Sequence, residues 1–183
     1  MEGSTLSSTN HATEYEPCGK KLFLPFMIRM IAACARDRVM GAGGTLPWKI
    51  KKDWDYFLET TRDGALVMGR RCYEDFTGYA GTRPLVVLSR DPQTTFRHAQ
   101  KASSLRDGLN VAEKMAENIW ICGGAEIYQE AMPIARELYL TQIDAHYEGD
   151  VRFPPWEPYF TREISRQETI ADGHKISFLI LGK

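Results

Sequence analysis

Gly41-Ala42-Gly43-Gly44-Thr45-Leu46-Pro47-Trp48-Lys49-Ile50-Lys51-Lys52-Asp53 joins an apolar run to a helical one, and its reading decides the fold. Upstream, Phe26-Met27-Ile28-Arg29-Met30-Ile31-Ala32-Ala33-Cys34-Ala35 is too apolar for a strand with one wet face and reads as buried on both sides. Downstream, Asp53 falls in the first turn of a helix running to about Thr61. Tyr56 and Phe57 come three and four residues later and share its face. An acid beside Trp48, Phe57 and Leu46 is in apolar company. Burial disfavours the carboxylate form and raises the pKa unless a partner holds the charge, which makes such a group a proton donor or a cation anchor. An Asp in a first helical turn also has a purely structural use, worth about 0.3–1 kcal/mol against the helix dipole.

The strand-loop-helix pattern repeats along the chain. Asp63-Gly64 marks a turn, Ala65 to Met68 a second buried strand, and Gly69-Arg70-Arg71 opens a short helix reaching Phe76. Thr77 to Thr82 reads as a loop. Leu85 to Leu88 is a third buried strand, closed by Ser89-Arg90-Asp91-Pro92, and His98 to Ala102 reads as a short strand. Ser104-Leu105-Arg106-Asp107 is a capping-box variant with Asp in the Glu/Gln position, ahead of Leu105, Leu109, Ala112, Met115 and Ala116 at helical spacing. Ile119 to Cys122 is a strand that runs into Gly123-Gly124-Ala125-Glu126, the start of a helix to about Met132. Glu137 to Ile143 alternates as a strand, and the prolines of Phe153 to Pro158 make that segment irregular. Phe160 to Gln167 and Lys175 to Leu181 are the last strands, with Asp172-Gly173 between them suited to a hairpin turn.

This order predicts an α/β fold: a single domain with a central, mostly parallel twisted sheet of about eight strands, an antiparallel C-terminal edge and helices on both faces. In such sheets ligands bind outside the carboxyl ends of the strands. The loops at Gly41 to Trp48, Gly69-Arg70, Ser89-Arg90 and Gly123-Gly124 all fall at that end.

The composition narrows the class. At 183 residues the chain is one domain's worth, with ordinary hydrophobic (43%) and charged (26%) fractions. A formal net charge of -1 gives no pull toward nucleic acid, and no segment has the roughly 20 apolar residues of a membrane span. The four cysteines are scattered without a Cys-x-x-Cys pair, so no metal site is expected, and their usage fits a reducing cytoplasm. Cys34 and Cys122 read as small buried hydrophobes, and His11, His98, His146 and His174 as surface residues. Residues 1–25, polar at first and without a secretory pattern, read as a disordered extension or a cloning remnant, and residues 26–183 as the folded domain.

Gly69-Arg70-Arg71 opens a helix straight after a strand, where free N–H groups and fixed positive charge suit an anion, and Ser89-Arg90 ends the neighbouring strand. Arginine near a ribose favours NADP over NAD. Gly123-Gly124-Ala125 lets a helix start approach a pyrophosphate closely. The ordinary dinucleotide fingerprint is absent: Gly41-Ala42-Gly43 begins like it, but Leu46 holds the third glycine position.

With these residues in place the chain resembles the dihydrofolate reductase family. The run Asp37-Arg38-Val39-Met40-Gly41, then Leu46-Pro47-Trp48, then Asp53 with Phe57 carries the resemblance. Val67-Met68-Gly69-Arg70, Arg83 before Leu88-Ser89-Arg90, Cys122 to Tyr128, Leu138 to Thr141 and Glu148 to Pro154 follow in register. The resemblance implies reduction of 7,8-dihydrofolate by NADPH, with hydride passing from nicotinamide C4 to pterin C6 and a proton to N5. It gives catalytic roles to Asp53, Trp48 and Thr141. Asp53 would hold the pterin 2-amino group and N3, Thr141 would fix that carboxylate, and Trp48 would orient a water. Ile31, Ala32, Leu46, Phe57, Phe76, Cys122 and Tyr128 would complete the substrate site, and Arg83 would pair with the α-carboxylate of the glutamate tail.

For the cofactor the resemblance implies Ala33, Met40 and Gly41 by the nicotinamide, and Arg70, Ser89 and Arg90 at the 2′-phosphoadenosine half. Arg71 and Cys72 would lie near the pyrophosphate, with Gly123, Gly124 and Ala125 below. Leu46, Gly69, Leu88, Cys122, Glu126 and Ile127 would complete the cofactor site. It further implies a cytoplasmic monomer, a target for antifolates and a supplier of one-carbon metabolism, with no nucleic-acid or membrane partner. Cys72, Ala80 and Pro84-Leu85 depart from the family pattern at the phosphate and tail contacts. Two other readings compete: a same-fold reductase of a ribosylaminopyrimidine in riboflavin synthesis, and a nucleotide-binding module without catalysis. Neither requires the set Trp48, Asp53, Phe57 and Arg83.

Overall fold

The apolar run after Phe26 becomes the middle of the sheet. The computed structural model describes residues 13–15, 22–24 and 26–183. In chain order the elements begin with β1 Thr13–Tyr15, β2 Leu22–Leu24, β3 Met27–Cys34, β4 Val39–Gly41, α1 Lys51–Thr60, β5 Gly64–Gly69, α2 Arg70–Phe76 and β6 Leu85–Leu88. They continue with β7 Gln100–Ala102, α3 Leu105–Ala112, β8 Asn118–Ile121, α4 Ala125–Ala131, β9 Glu137–Ile143, β10 Val151–Arg152, β11 Arg162–Ala171 and β12 His174–Gly182. Eight strands form one sheet in the order β11-β12-β9-β3-β8-β5-β6-β7. The pairs from β9 to β7 are parallel, and β12 runs antiparallel to both its neighbours. β4 pairs with β10, and β1 with β2, in separate antiparallel ribbons. The remainder of the predicted extension, residues 1–25, lies outside the described residues.

Period-two alternation sorts the core into two layers. Ile28, Met30 and Cys34 of β3 join Val67, Val86, Ile119, Ile121, Leu138 and Leu140 beneath α3 and α4. Ile31, Leu66, Met68, Leu85, Val87 and Trp120 face the other way, toward α1 and α2. Each fully buried aliphatic side chain contributes about 1.5–3 kcal/mol, and the two-faced burial explains why β3, β5 and β8 read as continuous apolar runs.

Several local expectations need correction. Thr77–Thr82 is a 3₁₀ turn rather than a loop. The helix after Ser104 stops at Ala112, leaving Met115 exposed beyond its end. The Ser104 hydroxyl accepts from the Asp107 N–H, as in a capping box, but the Asp107 carboxylate takes the hydroxyls of Ser103 and Ser104. Asp is one methylene shorter than Glu and does not reach back to the cap N–H. The strand expected from Phe160 begins at Arg162 and runs on to Ala171. There Asp172 and Gly173 both take positive φ, 51° and 79°, as a tight two-residue hairpin requires. His174 is half-buried, its ring against the Tyr147 hydroxyl at 3.2 Å, whereas His98 and His146 are exposed.

Candidate active site

β8 lies between β3 and β5, so three strands separated in the chain end side by side. Their carboxyl ends, with α1 and α2 packed on one face, enclose a cleft of about 150 Å³. Ile31, Ala32 and Ala33 of β3, Cys122 after β8 and Thr141 of β9 supply its floor. Register explains the convergence: Ala33 pairs with Thr141 across β3 and β9, and paired residues share a face. From α1 come Asp53, Trp54, Tyr56 and Phe57, from α2 Cys72, Asp75 and Phe76, and Leu46 of the glycine loop closes the mouth. Tyr128 rises from α4 and donates its hydroxyl to the Ile31 carbonyl at 2.6 Å.

Asp53 is 9% exposed, and burial raises its carboxyl above the usual range. Thr141 and the Trp48 indole face the carboxylate and pull the other way by hydrogen bonding. The indole Nε1 itself is buried and makes no hydrogen bond to a described residue, and Thr141 is the larger of the two influences. No ion pair reaches Asp53 among the described residues, so the group is an acid in an apolar cleft with two neutral polar neighbours. Leu46, expected as packing around it, is 43% exposed and serves as the lip of the cleft instead.

Arg83 sits past the outer end of the cleft, after the 3₁₀ turn. Its Nη1 donates to Thr61 Oγ1 at 2.8 Å and to the Leu58 carbonyl at 3.2 Å, while its buried Nε has no partner among the described residues. Burial pushes the guanidinium below its ordinary value. Thr61 is held by its own bond to the Phe57 carbonyl, 2.8 Å, which ties the arginine to the end of α1.

The other loops gather beside the cleft. Gly69 pairs with Leu88 across β5 and β6, so Arg70 and Ser89 follow neighbouring positions at one sheet end. The Gly69 N–H donates to the Gly123 carbonyl at 2.8 Å. A Cβ on Gly69 would meet Ile127 at 3.1 Å, and one on Gly123, at φ 112°, would meet Cys72 Sγ at 3.1 Å. Neither α2 nor α4 has a side-chain cap, so the first-turn N–H groups at Arg70 and Arg71, and at Ala125 and Glu126, stay open. Arg70 leans on Glu74 at 2.6 Å and Arg90 lies 3.9 Å from Glu126, both pairs exposed. Met40 packs into the core on β4, and neither it nor Gly41 lines the cleft. Burial raises the Cys72 thiol to about 11 and the Cys122 thiol further, so both are neutral; Cys122, read as a buried hydrophobe, is half-buried.

Sequence reasoning missed Trp54, Met68 and Asp75 in the cleft wall, and placed Tyr56 on the Asp53 face without assigning it to the site. Asp75 lies three residues past Cys72 on the same helix, a spacing that places both on one face. Trp54 stacks on Phe57 with centroids 5.4 Å apart and meets Phe76 and Tyr79 edgewise or tilted, an aromatic wall spread over three segments.

Residues 27–182 match the family model described as dihydrofolate reductase. A dihydrofolate reductase of Neisseria meningitidis serogroup A is 36% identical over 146 residues, 77% of this chain and 87% of that protein. Dihydrofolate reductase type 3 of Salmonella typhimurium is 36% identical over 146 residues, 80% of this chain and 90% of its own length. Among solved structures, dihydrofolate reductase from Enterococcus faecalis, complexed with NADP(H) and RAB-propyl, superposes with a TM-score of 0.78 at 26% identity, covering 85% of this chain and 95% of that one.

Proposed function

Because the chain belongs to the dihydrofolate reductase family, whose NADPH-dependent reduction of dihydrofolate to tetrahydrofolate it performs, we propose that Asp53, Thr141 and Trp48 are the residues that carry the chemistry. The observation behind this is the Asp53 carboxyl, buried without a cation and faced by Thr141 and the indole. NADPH, when bound, supplies the hydride. Asp53 holds the 2-amino group and N3 of the pterin, and its raised pKa favours keeping a proton on the bound acid–pterin pair. Thr141 orients the carboxylate. The unpartnered Nε1–H of Trp48 suits a water beside Asp53, and water carries the proton to N5 from the side away from the acid.

Ile31, Ala32, Leu46, Phe57, Phe76, Cys122 and Tyr128 enclose the pterin and benzoyl rings. Arg83, its Nε unpaired and its Nη1 braced by Thr61, takes the glutamate α-carboxylate in a planar fork.

The chain also fits the cofactor. Glycine backbones at the β5–α2 and β8–α4 junctions approach each other as a bound pyrophosphate requires, and the uncapped starts of both helices offer N–H groups. In this reading Arg71, Cys72, Gly123, Gly124, Ala125, Glu126 and Ile127 hold the pyrophosphate. Gly69, Arg70, Leu88, Ser89 and Arg90 hold the 2′-phosphoadenosine, and Ala33, Met40, Gly41 and Leu46 flank the nicotinamide.

We assign a monomer, as the family resemblance implies, and take residues 26–183 as the reductase domain. No helix among the described residues is long and apolar enough to cross a membrane. We assign the protein to the cytoplasm on its cysteine usage, with antifolates as inhibitors and no nucleic-acid partner.

The test is NADPH oxidation with dihydrofolate, followed by loss of reduced-nicotinamide absorbance, for wild type and Asp53→Asn across pH. Turnover by wild type, with a variant that fails near neutrality and recovers in acid, is expected. A variant as active as wild type at neutral pH would remove Asp53 from the chemistry.

A further inference from the structure

A second cavity, of about 300 Å³, lies on the opposite face of the sheet from Asp53. Its floor is a row across three strands: Cys34 of β3 pairs with Gln142 of β9, which pairs with Ser177 of β12. The cavity wall is the 3₁₀ turn Arg36–Arg38 on one side and the half-buried ring of Trp156 on another. The floor is polar but uncharged. Burial pushes the Cys34 thiol up to about 12, the Ser177 hydroxyl donates to Glu168 Oε1 at 3.4 Å, and the Gln142 carboxamide makes no side-chain hydrogen bond among the described residues.

Among the described residues the charges around the rim are matched except for Arg38 and Glu157, both of which act on Cys34. Arg36 is held by Asp144 at 2.7 Å and touches His146 at 3.1 Å. Lys175 is held by Glu168 at 2.9 Å, and the Asp37 carboxylate has His146 at 3.6 Å. Arg38 has no carboxylate partner among the described residues. Its one side-chain hydrogen bond is a long one, 3.3 Å, from Nη1 to the Phe153 carbonyl. A half-buried guanidinium without an acid, an unbonded carboxamide and an indole ring thus share one cavity. That combination matches an oxyanion on a flat apolar body, since the arginine fork takes a carboxylate in two parallel bonds and the indole offers a stacking face.

We propose that this cavity is a second ligand site, separate from the reductase cleft, that takes a small aromatic carboxylate between Arg38 and Trp156. Gln142 supplies the remaining hydrogen bond from the floor.

The test uses the full chain with NADP⁺ and folate saturating the reductase cleft, and 2-naphthoate as the probe in an amide NMR titration. Saturable shifts are expected at Arg36, Arg38, Gln142 and the Trp156 indole N–H. 2-Naphthalenemethanol, which lacks the charge, and inorganic phosphate, which lacks the ring, are each expected to bind at least tenfold more weakly. Arg38→Asn is expected to weaken 2-naphthoate at least tenfold; Asn tolerates the left-handed backbone at this position, φ 62°. Gln142→Leu, a substitution that leaves the turn intact, is expected to weaken it severalfold. Shifts confined to other surfaces, phosphate binding as tight as naphthoate, or unchanged affinity in a folded Arg38→Asn protein would overturn the assignment.

Discussion

The Gly43 N–H donates to the Asp150 carboxylate across 3.2 Å, and the Asp150 N–H donates to the Gly41 carbonyl at 3.1 Å. The tip of the glycine loop, exposed and built on Gly43 and Gly44 at positive φ, is therefore held by the segment leading into β10. Few other contacts restrain it, which places it among the parts of the fold that open first. Asp150→Ala removes an exposed bond to a charged group, worth about 1 kcal/mol. We expect kcat to fall about fivefold with the melting temperature nearly unchanged. Loss of thermal stability at full turnover would assign Asp150 a structural role instead.

Asp53 is the group whose charge the fold resists. Burial raises its folded pKa above the unfolded value, so between the two values the native state binds the extra proton and stability falls as pH rises. The penalty is complete above the folded pKa and absent below the unfolded one. Asp53→Asn, neutral throughout, is expected to melt several degrees higher than wild type at neutral pH without ligands, the gain shrinking as the medium is acidified. Calorimetry across pH reads this independently of activity. A gain that does not vary with pH would place its origin outside the ionisation of Asp53.

Arg83 has no carboxylate partner among the described residues, and its proposed role is to take the glutamate tail. Replacing it by leucine removes a charge-assisted pair worth about 1.5–3 kcal/mol, a rise of about 10- to 150-fold in KM for dihydrofolate with kcat largely kept. Thr61→Val should give a smaller rise in the same direction, because it frees one bond of the fork. If KM for NADPH rises instead, the arginine serves the cofactor.

Gly64 is required by a neighbour rather than by its backbone angle. A Cβ there would land on Trp120 Cδ1, with Nε1 at 2.7 Å. That ring is pinned by Tyr139, edge-on at 4.9 Å, and by the Arg29 guanidinium 5.5 Å from its centroid. Gly64→Ala should therefore destabilise by about 1–3 kcal/mol, as overpacking does. Gly108→Ala meets only the end of a leucine side chain, Leu88 Cδ2 at 2.7 Å, and should cost less. Denaturant melts of both variants decide the ranking.

Much of the cleft lining was legible because its residues sit where strands end. Asp53 stood out as an acid in an apolar helix face, and Arg70, Ser89 and the Gly123-Gly124 pair followed directly on buried runs. The aromatic wall of Trp54, Phe57, Phe76 and Tyr79 was not legible, since its rings come from α1, α2 and the turn after it, and no single period joins them. Asp75 was missed for the same reason: on its own helix it is one exposed acid among others, and only the packing of α2 over the sheet makes it part of the cleft. The capping bond of Ser104 was read correctly, whereas the reach of Asp107 depended on a side-chain length that the pattern ignores.

The sequence alone determined the alternation of strands and helices, which strands are buried on both faces, and the end of the sheet where the glycine and arginine loops lie, because these follow from side-chain pattern and local backbone preference. Tertiary structure alone decided that β8 enters between β3 and β5, that Thr141 stands opposite Ala33 and so faces Asp53, and that Arg83 is braced by Thr61. Strand order and register are set by how whole faces pack together, and a period-two pattern is compatible with many orders. The convergence of residues distant in the chain on one carboxylate is therefore a property of the folded sheet.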